Sequence, residues 1–288
     1  MTREARGGAL VLVGTPIGNL GDLSPRAVEA LQDADVIAAE DTRRTRALLT
    51  HAGVPAGRRL RAVHAHNERR LAATIVAEVR GGARVAYVTD AGMPGISDPG
   101  ERLVRACVDA GLAVEVVPGP SALLTGLVLS GLATQRFAFE GFLPRKGKAR
   151  AERLAAIASE SRTVVLFESP VRIVDTLGDL AEACGGGREV AVARELTKRF
   201  EEVWRGTLGE AVADPQAVGT RGELVVVVAP APAAAPVGEA GLEAAVDAAL
   251  DDGLSARDAA VRVAADLSVP KRRAYDAATR RSRARSRS

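Results

Sequence analysis

Residues 9–22 read ALVLVGTPIGNLGD, and residues 85–100 repeat the plan as VAYVTDAGMPGISDPG. Each is a short apolar run that stops in a loop dense in glycine, proline and small polar residues. An apolar run of this length bounded by turn residues reads as a buried strand. Glycine and proline just past its end let a ligand approach the backbone where side chains would hold it off. Two such loops, both leaving the C-terminal ends of buried strands, predict one crevice for a small molecule.

Outward from these loops, strand-like runs recur at residues 9–14, 36–39, 59–63, 84–89 and 113–117, with helical patterns at 25–32, 43–52, 68–80 and 100–110. Ser24 before Pro25 marks a helix start. Gly53, Gly81 and Gly111 stand where C-terminal caps belong. Strand alternating with helix predicts a largely parallel sheet. After Pro118-Gly119-Pro120 an apolar helix is expected over 121–130. A second series follows, with strands at 137–142, 163–168, 189–194, 204–206 and 223–229 and helices at 148–159 and 171–183. The fold class is therefore α/β, with domains at 1–120 and 121–229. Residues 230–238 (PAPAAAPVG after the last strand) read as a Pro/Ala linker. Residues 239–282 read as three short helices of helix-turn-helix type, with Ser255 and Asp258 as a capping box, and 283–288 as a basic tail.

A chain of 288 residues is long enough for two or three domains with real cores. Cys107 and Cys184 lack CxxC or Cys/His spacing and read as buried, reduced thiols. No signal-peptide pattern is visible and no uncharged apolar run reaches spanning length, which predicts a cytoplasmic protein that does not enter a membrane. The net charge of +3 is unevenly spread. Residues 271–288 hold eight Lys/Arg and one acid, a balance of +7 that leaves −4 for the rest. That asymmetry suits a nucleic-acid partner; a solvated, unstructured end is the other reading. Aromatics make up 3% of the chain, and the α/β body offers few for base stacking, so backbone and shape readout are expected.

Several common chemistries lack their motifs. No GxxxxGK[ST], GxSxG or HExxH string occurs, and Gly14, Gly18 and Gly21 do not fit GxGxxG. His64 and His66 are expected on opposite faces of an extended segment, so no metal site is read from them. What remains is polar clusters that directly follow apolar runs: Glu40 to Arg43, His64 to Glu68, Glu168-Ser169 and Arg194 to Lys198. In a parallel sheet several would converge on one edge. They also read as ordinary structure, with Glu40 and Asp41 capping a helix and Glu195 pairing with Lys198.

The strings GTPIGNLGDLSPRAVEAL, AAEDTRRT, HAHNE, DAGMPGISDPG, VPGPSA, FEGFLPRK, FESPVR and ARELTK lie in order between residues 9 and 228. Together they resemble the ribosomal-RNA-methylating members of the tetrapyrrole methylase family, and the basic end resembles that group's small helical extension. The resemblance implies two α/β domains with S-adenosylmethionine in the cleft between them, and a homodimer. It implies methyl transfer to the ribose 2′-oxygen of a decoding-region cytidine in 16S rRNA; backbone and shape readout favours the assembled 30S subunit or its precursor as the form recognised, with free rRNA left open. Carried onto this chain, Pro16, Asp90, Ala91, Gly92, Met93, Ile96, Ser121, Ala122, Phe167, Glu168 and Ala193 would surround the cofactor. Met93 departs from the family, which has Asp or a small polar residue there. Backbone amides of residues 91–93, or Asp90, would then carry the binding.

A ribose hydroxyl is a very weak acid, so the reaction needs in-line alignment and an acceptor for the proton. Candidate bases are Glu40, Asp41, His66 and Glu195; Arg43, Arg194 and Lys198 are candidate helpers for the developing alkoxide. The group Glu40, Asp41 and Arg43 is favoured for positioning the substrate. Candidate RNA contacts are Arg145, Lys146, Lys148 and Arg150, with Lys271, Arg272, Arg273 and Arg280 in the basic end. Two other readings stay open: a methylase of the same fold acting on a tetrapyrrole or other small molecule, and a helix-turn-helix regulator with a ligand-sensing body.

Overall fold

The computed structural model describes residues 7–219, 221–232, 238–267 and 269–285. The first sheet comprises β1 (Ala9–Val13), β2 (Val36–Ala39), β3 (Leu60–Ala62), β4 (Arg84–Val88) and β5 (Ala113–Val117). All neighbours are parallel, in the order β3-β2-β4-β1-β5. The crossovers are α1 (Pro25–Asp33), α2 (Thr42–His51), α3 (Glu68–Arg80) and α4 (Glu101–Asp109). From β1 the chain steps outward to β2 and β3, then returns to place β4 against β1. The loops after β1 and β4 therefore leave neighbouring strands at the point where the winding reverses, the place where such sheets open a crevice. All five residues of β1 are buried, Ala9, Val11 and Val13 in one core and Leu10 and Leu12 in another. Cores on both faces explain why the strand reads as an unbroken apolar run.

Local chemistry sets the ends of these elements. Ser24 accepts the Ala27 N–H at 3.1 Å and Pro25 opens α1. Gly53 and Gly111 take left-handed φ of 66°. Gly81 does not, at φ −74°; the turn after α3 is completed by Gly82 at φ 97°. His64 and His66 lie past the end of β3, and their ring centroids are 5.9 Å apart edge to face. The expectation of opposite faces fails because the segment turns where it was read as extended.

The second sheet follows α5 (Ala122–Ser130). It contains β6 (Phe137–Phe142), β7 (Thr163–Glu168), β8 (Glu189–Arg194), β9 (Glu202–Thr207) and β10 (Leu224–Val228), in the order β6-β7-β10-β8-β9. Only β6 and β7 run parallel. α6 (Lys148–Ser159) and α7 (Ile173–Cys184) complete it, with two short helices that the sequence pattern does not announce, α8 (Leu208–Ala213) and α9 (Pro215–Val218). In β10, Leu224, Val226 and Val228 pack with Ile173, Leu177 and Leu180 of α7. Val225 and Val227 face a separate core that also holds Ile17, Leu127 and Leu196, so the first loop is tied to the second sheet. A Cβ on Gly126 would stand 2.7 Å from Val225 Cγ1, so α5 lies close against that sheet.

The C-terminal compact unit is made of α10 (Glu239–Asp251), α11 (Ala256–Asp266) and α12 (Lys271–Arg285) around Leu242, Val246, Val263, Ala274, Ala277 and Ala278. Ser255 accepts the Asp258 N–H at 3.1 Å and its hydroxyl donates to Asp258 Oδ2 at 2.6 Å, a one-way cap in place of the expected box. α12 continues to Arg285, so the expected boundary at 282 falls inside a helix. Tail residues 286–288 and linker residues 233–237 lie outside the described residues. No helix among the described residues is long and apolar enough to cross a membrane.

Candidate active site

At the C-terminal edge of the first sheet the loops after β1 and β4 are stitched together. Thr15 N–H donates to the Gly92 carbonyl at 2.9 Å, and Gly92 N–H donates back at 3.1 Å. A Cβ on Gly14 would meet Gly119 N at 2.6 Å and Met93 Sδ at 2.7 Å, so the loop after β5 closes in from the other side. The ends of β2 and β4 are joined in the same way. Asp90 N–H donates to Glu40 Oε2 at 3.4 Å, Asp41 N–H donates to Asp90 Oδ1 at 3.2 Å, and Arg44 pairs with Asp90 at 3.4 Å.

Between this edge and the second sheet lies a cavity of about 330 Å³. Its apolar surface comes from Ile17, Ile96, Phe142, Phe167, Leu196 and Val225. Its ionisable lining is Asp90, Asp98, Glu168 and Glu223 against one cation, Arg44. Three non-glycine residues with positive φ gather here: Ser97 (59°) in the lining, and Glu195 (51°) and Thr197 (64°) in the turn behind the rim. Clustered backbone strain of this kind is held in place by its surroundings and accompanies binding sites.

Of the residues expected at the cofactor, Asp90, Ala91, Gly92, Met93, Ile96, Ser121, Ala122, Phe167 and Glu168 line the cavity. Pro16 and Ala193 are buried behind the lining and are not part of it. Glu168 reaches the cavity edge, but its carboxylate is engaged elsewhere: it accepts from Ser169 N–H at 2.8 Å and from the Thr176 hydroxyl at 2.7 Å. The Gly92 amide, expected to bind a ligand, is taken by Thr15, which leaves those of Ala91 and Met93. Met93 lays its thioether beside Gly14, which explains how a side chain with no strong hydrogen bond fits this loop.

None of the three residues favoured for substrate positioning lines the cavity: Glu40 is held at the Asp90 N–H, and Asp41 and Arg43 engage each other. Asp41 caps α2 by accepting the Arg43 N–H at 2.8 Å, and Arg43 folds back onto the same carboxylate at 2.7 Å with its side chain 90% exposed. The next residue on the helix, Arg44, faces the cavity in its place. Arg43 holds the Asp41 carboxyl far below the usual range through side-chain and backbone hydrogen bonds. Burial raises Glu40, helped by the Asp90 charge and opposed by the Asp90 N–H bond. Glu195 and Lys198 sit behind the rim, where Lys198 Nζ lies 3.0 Å from Glu195 and 3.1 Å from Glu223. The Glu223 N–H and Lys198 lower Glu195, while its carboxylate partners overcome the effect of burial on Lys198 and raise it. Arg194 is paired with Glu202.

Asp98 escaped the sequence reading although it lies in the quoted SDPG stretch. Burial lifts its pKa from 3.8 to about 6, with the Glu40, Asp90 and Glu223 charges adding to the rise and Thr89 opposing it.

The expected RNA contacts divide. Arg145 and Lys146 are exposed, and Lys148 makes a loose surface pair with Glu152. Arg150 is not available: it is buried, bonded to Asp179 at 2.6 Å, the Pro144 carbonyl and Thr176. In the helical unit Lys271 and Arg272 border a surface depression with Arg257 and Tyr275. Arg273 and Arg280 both bond Glu239 of α10, while Arg281 bonds Asp247 and Arg285 bonds Asp247 and Asp251. Much of the charge counted in this segment is therefore neutralised within the unit.

A family profile described as tetrapyrrole (corrin/porphyrin) methylases matches residues 9–212. A protein of Synechocystis sp. named ribosomal RNA small subunit methyltransferase I is 44% identical over 270 residues, covering 93% of this chain and 96% of its own. Proteins of the same name from Mycobacterium tuberculosis (47%, 94% of each chain) and Xylella fastidiosa (51%, 77% of this chain and 81% of its own) are similar. Among solved structures, the methyltransferase CobJ superposes with a TM-score of 0.58 at 21% identity over 78% of this chain and 95% of its own. A uroporphyrin-III C-methyltransferase from Thermus thermophilus complexed with S-adenosylhomocysteine gives 0.56 at 22% over 77% and 97%. These two likenesses establish a shared fold.

Proposed function

The chain belongs to the tetrapyrrole methylase family and, within it, to the ribosomal RNA small subunit methyltransferase I group; from that premise we propose that it methylates 16S rRNA, using S-adenosylmethionine, at the ribose 2′-hydroxyl of a decoding-region cytidine. The observation that carries the reading is the cavity where the sheet reverses its winding. Apolar and aromatic walls with several carboxylates against one arginine fit a molecule that has flat rings and carries positive charge. When bound, the donor supplies an electrophilic methyl carbon on a sulfonium centre.

The chain's own residues would do the rest. Phe167 would offer a face for a ring, and the carboxylates of the lining would attract a cation. Ser121 caps the N-terminus of α5 at the cavity wall. Among the carboxylates considered as proton acceptors, Asp41 and Glu195 are held ionised by their partners and are poorly matched to that task. Asp98 lines the cavity and burial raises its carboxyl pKa to about 6, so we assign it the acid–base role. Below about pH 6 it is neutral and neither attracts a cation nor accepts a proton; above, it does both. The expected result is that kcat/KM rises with pH through about 6 and levels off, and that Asp98→Asn is slower and lacks this limb. A wild-type profile flat between pH 5 and 8 would remove Asp98 from the mechanism.

The reading includes a homodimer, for which Leu124 and Val128, one turn apart on α5 and both exposed, supply an apolar face. It places the protein in the cytoplasm with the small ribosomal subunit. The direct test is mapping of ribose methylation on 16S rRNA in 30S subunits, with and without the protein. One new 2′-O-methylcytidine in the decoding region is expected. Methylation of a porphyrinoid precursor with none on RNA would assign the reaction to a small molecule.

A further inference from the structure

The α/β body offers few aromatics for stacking, as expected, but one of them bears on the substrate. Phe142, at the end of β6, is 53% exposed and borders two concavities at once. One is the cavity just described. The other is a broad, open groove of about 1300 Å³ between the loop 143–147 and the first turns of α7. Ser169 is likewise shared, so the two adjoin at Phe142 and Ser169, which places the end of the groove beside the cavity mouth.

Charge selects the occupant. Arg145 and Lys146, at the tip of the loop, are exposed, and no ion pair or hydrogen bond engages their side chains among the described residues. On the opposite wall Asp179 is neutralised by buried Arg150, and Arg172 bonds the Leu143 carbonyl at 2.8 Å. Asp175 is left, in the first turn of α7, where the helix dipole favours a carboxylate. Val171, 88% exposed, adds an apolar edge near the mouth. Two free cations, a half-exposed aromatic face and an apolar edge along one groove are what an unpaired nucleotide strand recognises: phosphates on the cations, a base on the ring.

We propose that this groove holds a single-stranded segment of the RNA substrate, with Arg145 and Lys146 on its phosphates and Phe142 stacked on a base at the cavity mouth. The proposal rests on the RNA-methylating reading and adds the strand's path and the residue that orients the acceptor nucleotide. Arg150 then has a structural part, since it anchors the wall through Asp179, Thr176 and the Pro144 carbonyl.

The test uses the full chain and a short fluorescent single-stranded RNA of decoding-region sequence, alone and annealed to its complement, read by anisotropy. The double variant Arg145→Glu/Lys146→Glu should bind the single strand about tenfold or more weakly and show a salt dependence flatter by roughly two phosphate contacts. Its affinity for S-adenosylmethionine, measured by calorimetry, should be unchanged, which also shows that it is folded. Phe142→Leu should weaken single-strand binding by roughly tenfold and Phe142→Tyr should restore it. Unchanged binding in these variants, or equal losses on duplex and single strand, would overturn the proposal. So would a loss seen on 30S subunits but not on free RNA, which would make the groove a protein contact. If the wild type methylates RNA and the variants do so equally well, the groove alone is wrong. A wild type that neither binds nor methylates RNA takes both readings down.

Discussion

Glu68→Ala is expected to lower the unfolding free energy by about 3–5 kcal/mol and the melting temperature by roughly 10 °C. The first N–H groups of a helix have no partner within it, and α4 cannot supply its own cap. Its N-cap is Gly100, at φ 129°, where the Tyr87 ring would stand 2.8 Å from a Cβ. Glu68, the first residue of α3 and 4% exposed, does the work from a distance. Its Oε1 accepts from Gly100 N–H at 3.0 Å, Arg102 N–H at 3.1 Å and Leu103 N–H at 3.2 Å. Truncation strands three donors, two of them in buried contacts, each costing about 1–3 kcal/mol before water enters. Glu68→Gln keeps an acceptor oxygen and should cost about 1 kcal/mol. Urea titration decides the matter: a lower midpoint at unchanged slope is the expected signature. A Glu68→Ala midpoint close to wild type would mean that the donors find other partners.

This residue shows where sequence reading succeeds and where it stops. The polar cluster His64 to Glu68 was recognisable as something held at a strand end, but not as a cap for a helix 32 residues on. The two loops, the parallel sheet and the cavity edge were legible because strand periodicity and glycine-proline chemistry act over a few residues. Side-chain direction and charge pairing are tertiary. Arg43 and Arg44 are indistinguishable in the string EDTRRT; only the turn of α2 about its Asp41 cap sends one to solvent and the other to the cavity. Likewise, the arginines of α12 counted as a basic surface because their partners Glu239, Asp247 and Asp251 lie some thirty to forty residues earlier in the chain. Asp98 was in plain view yet unremarkable until burial and the Glu40, Asp90 and Glu223 charges surrounded it.

Gly92→Trp is expected to reduce S-adenosylmethionine affinity by at least about 100-fold, or about 3 kcal/mol, while the chain still folds. The residue stands at φ 78° with both of its backbone polar groups bonded to Thr15. A Cβ there would lie 3.4 Å from Ile17 Cγ2 and 3.5 Å from the Pro120 carbonyl, in ordinary contact with nothing that must move. Gly92→Ala therefore meets only the left-handed backbone, at about 1–2 kcal/mol, and barely changes the cavity. Gly92 and Ile17, the nearest side chain to that Cβ, both line the cavity, so an indole at the same site would occupy much of the roughly 330 Å³. The pair of variants thus separates backbone strain from occupancy: both carry the strain, and only Trp blocks the site. Calorimetry with the donor alone reads the difference without any RNA, so the result does not depend on what is methylated. A Trp variant that binds the donor as tightly as the Ala variant would put the ligand outside this cavity, and Asp98 and Phe142 would lose their assigned parts with it.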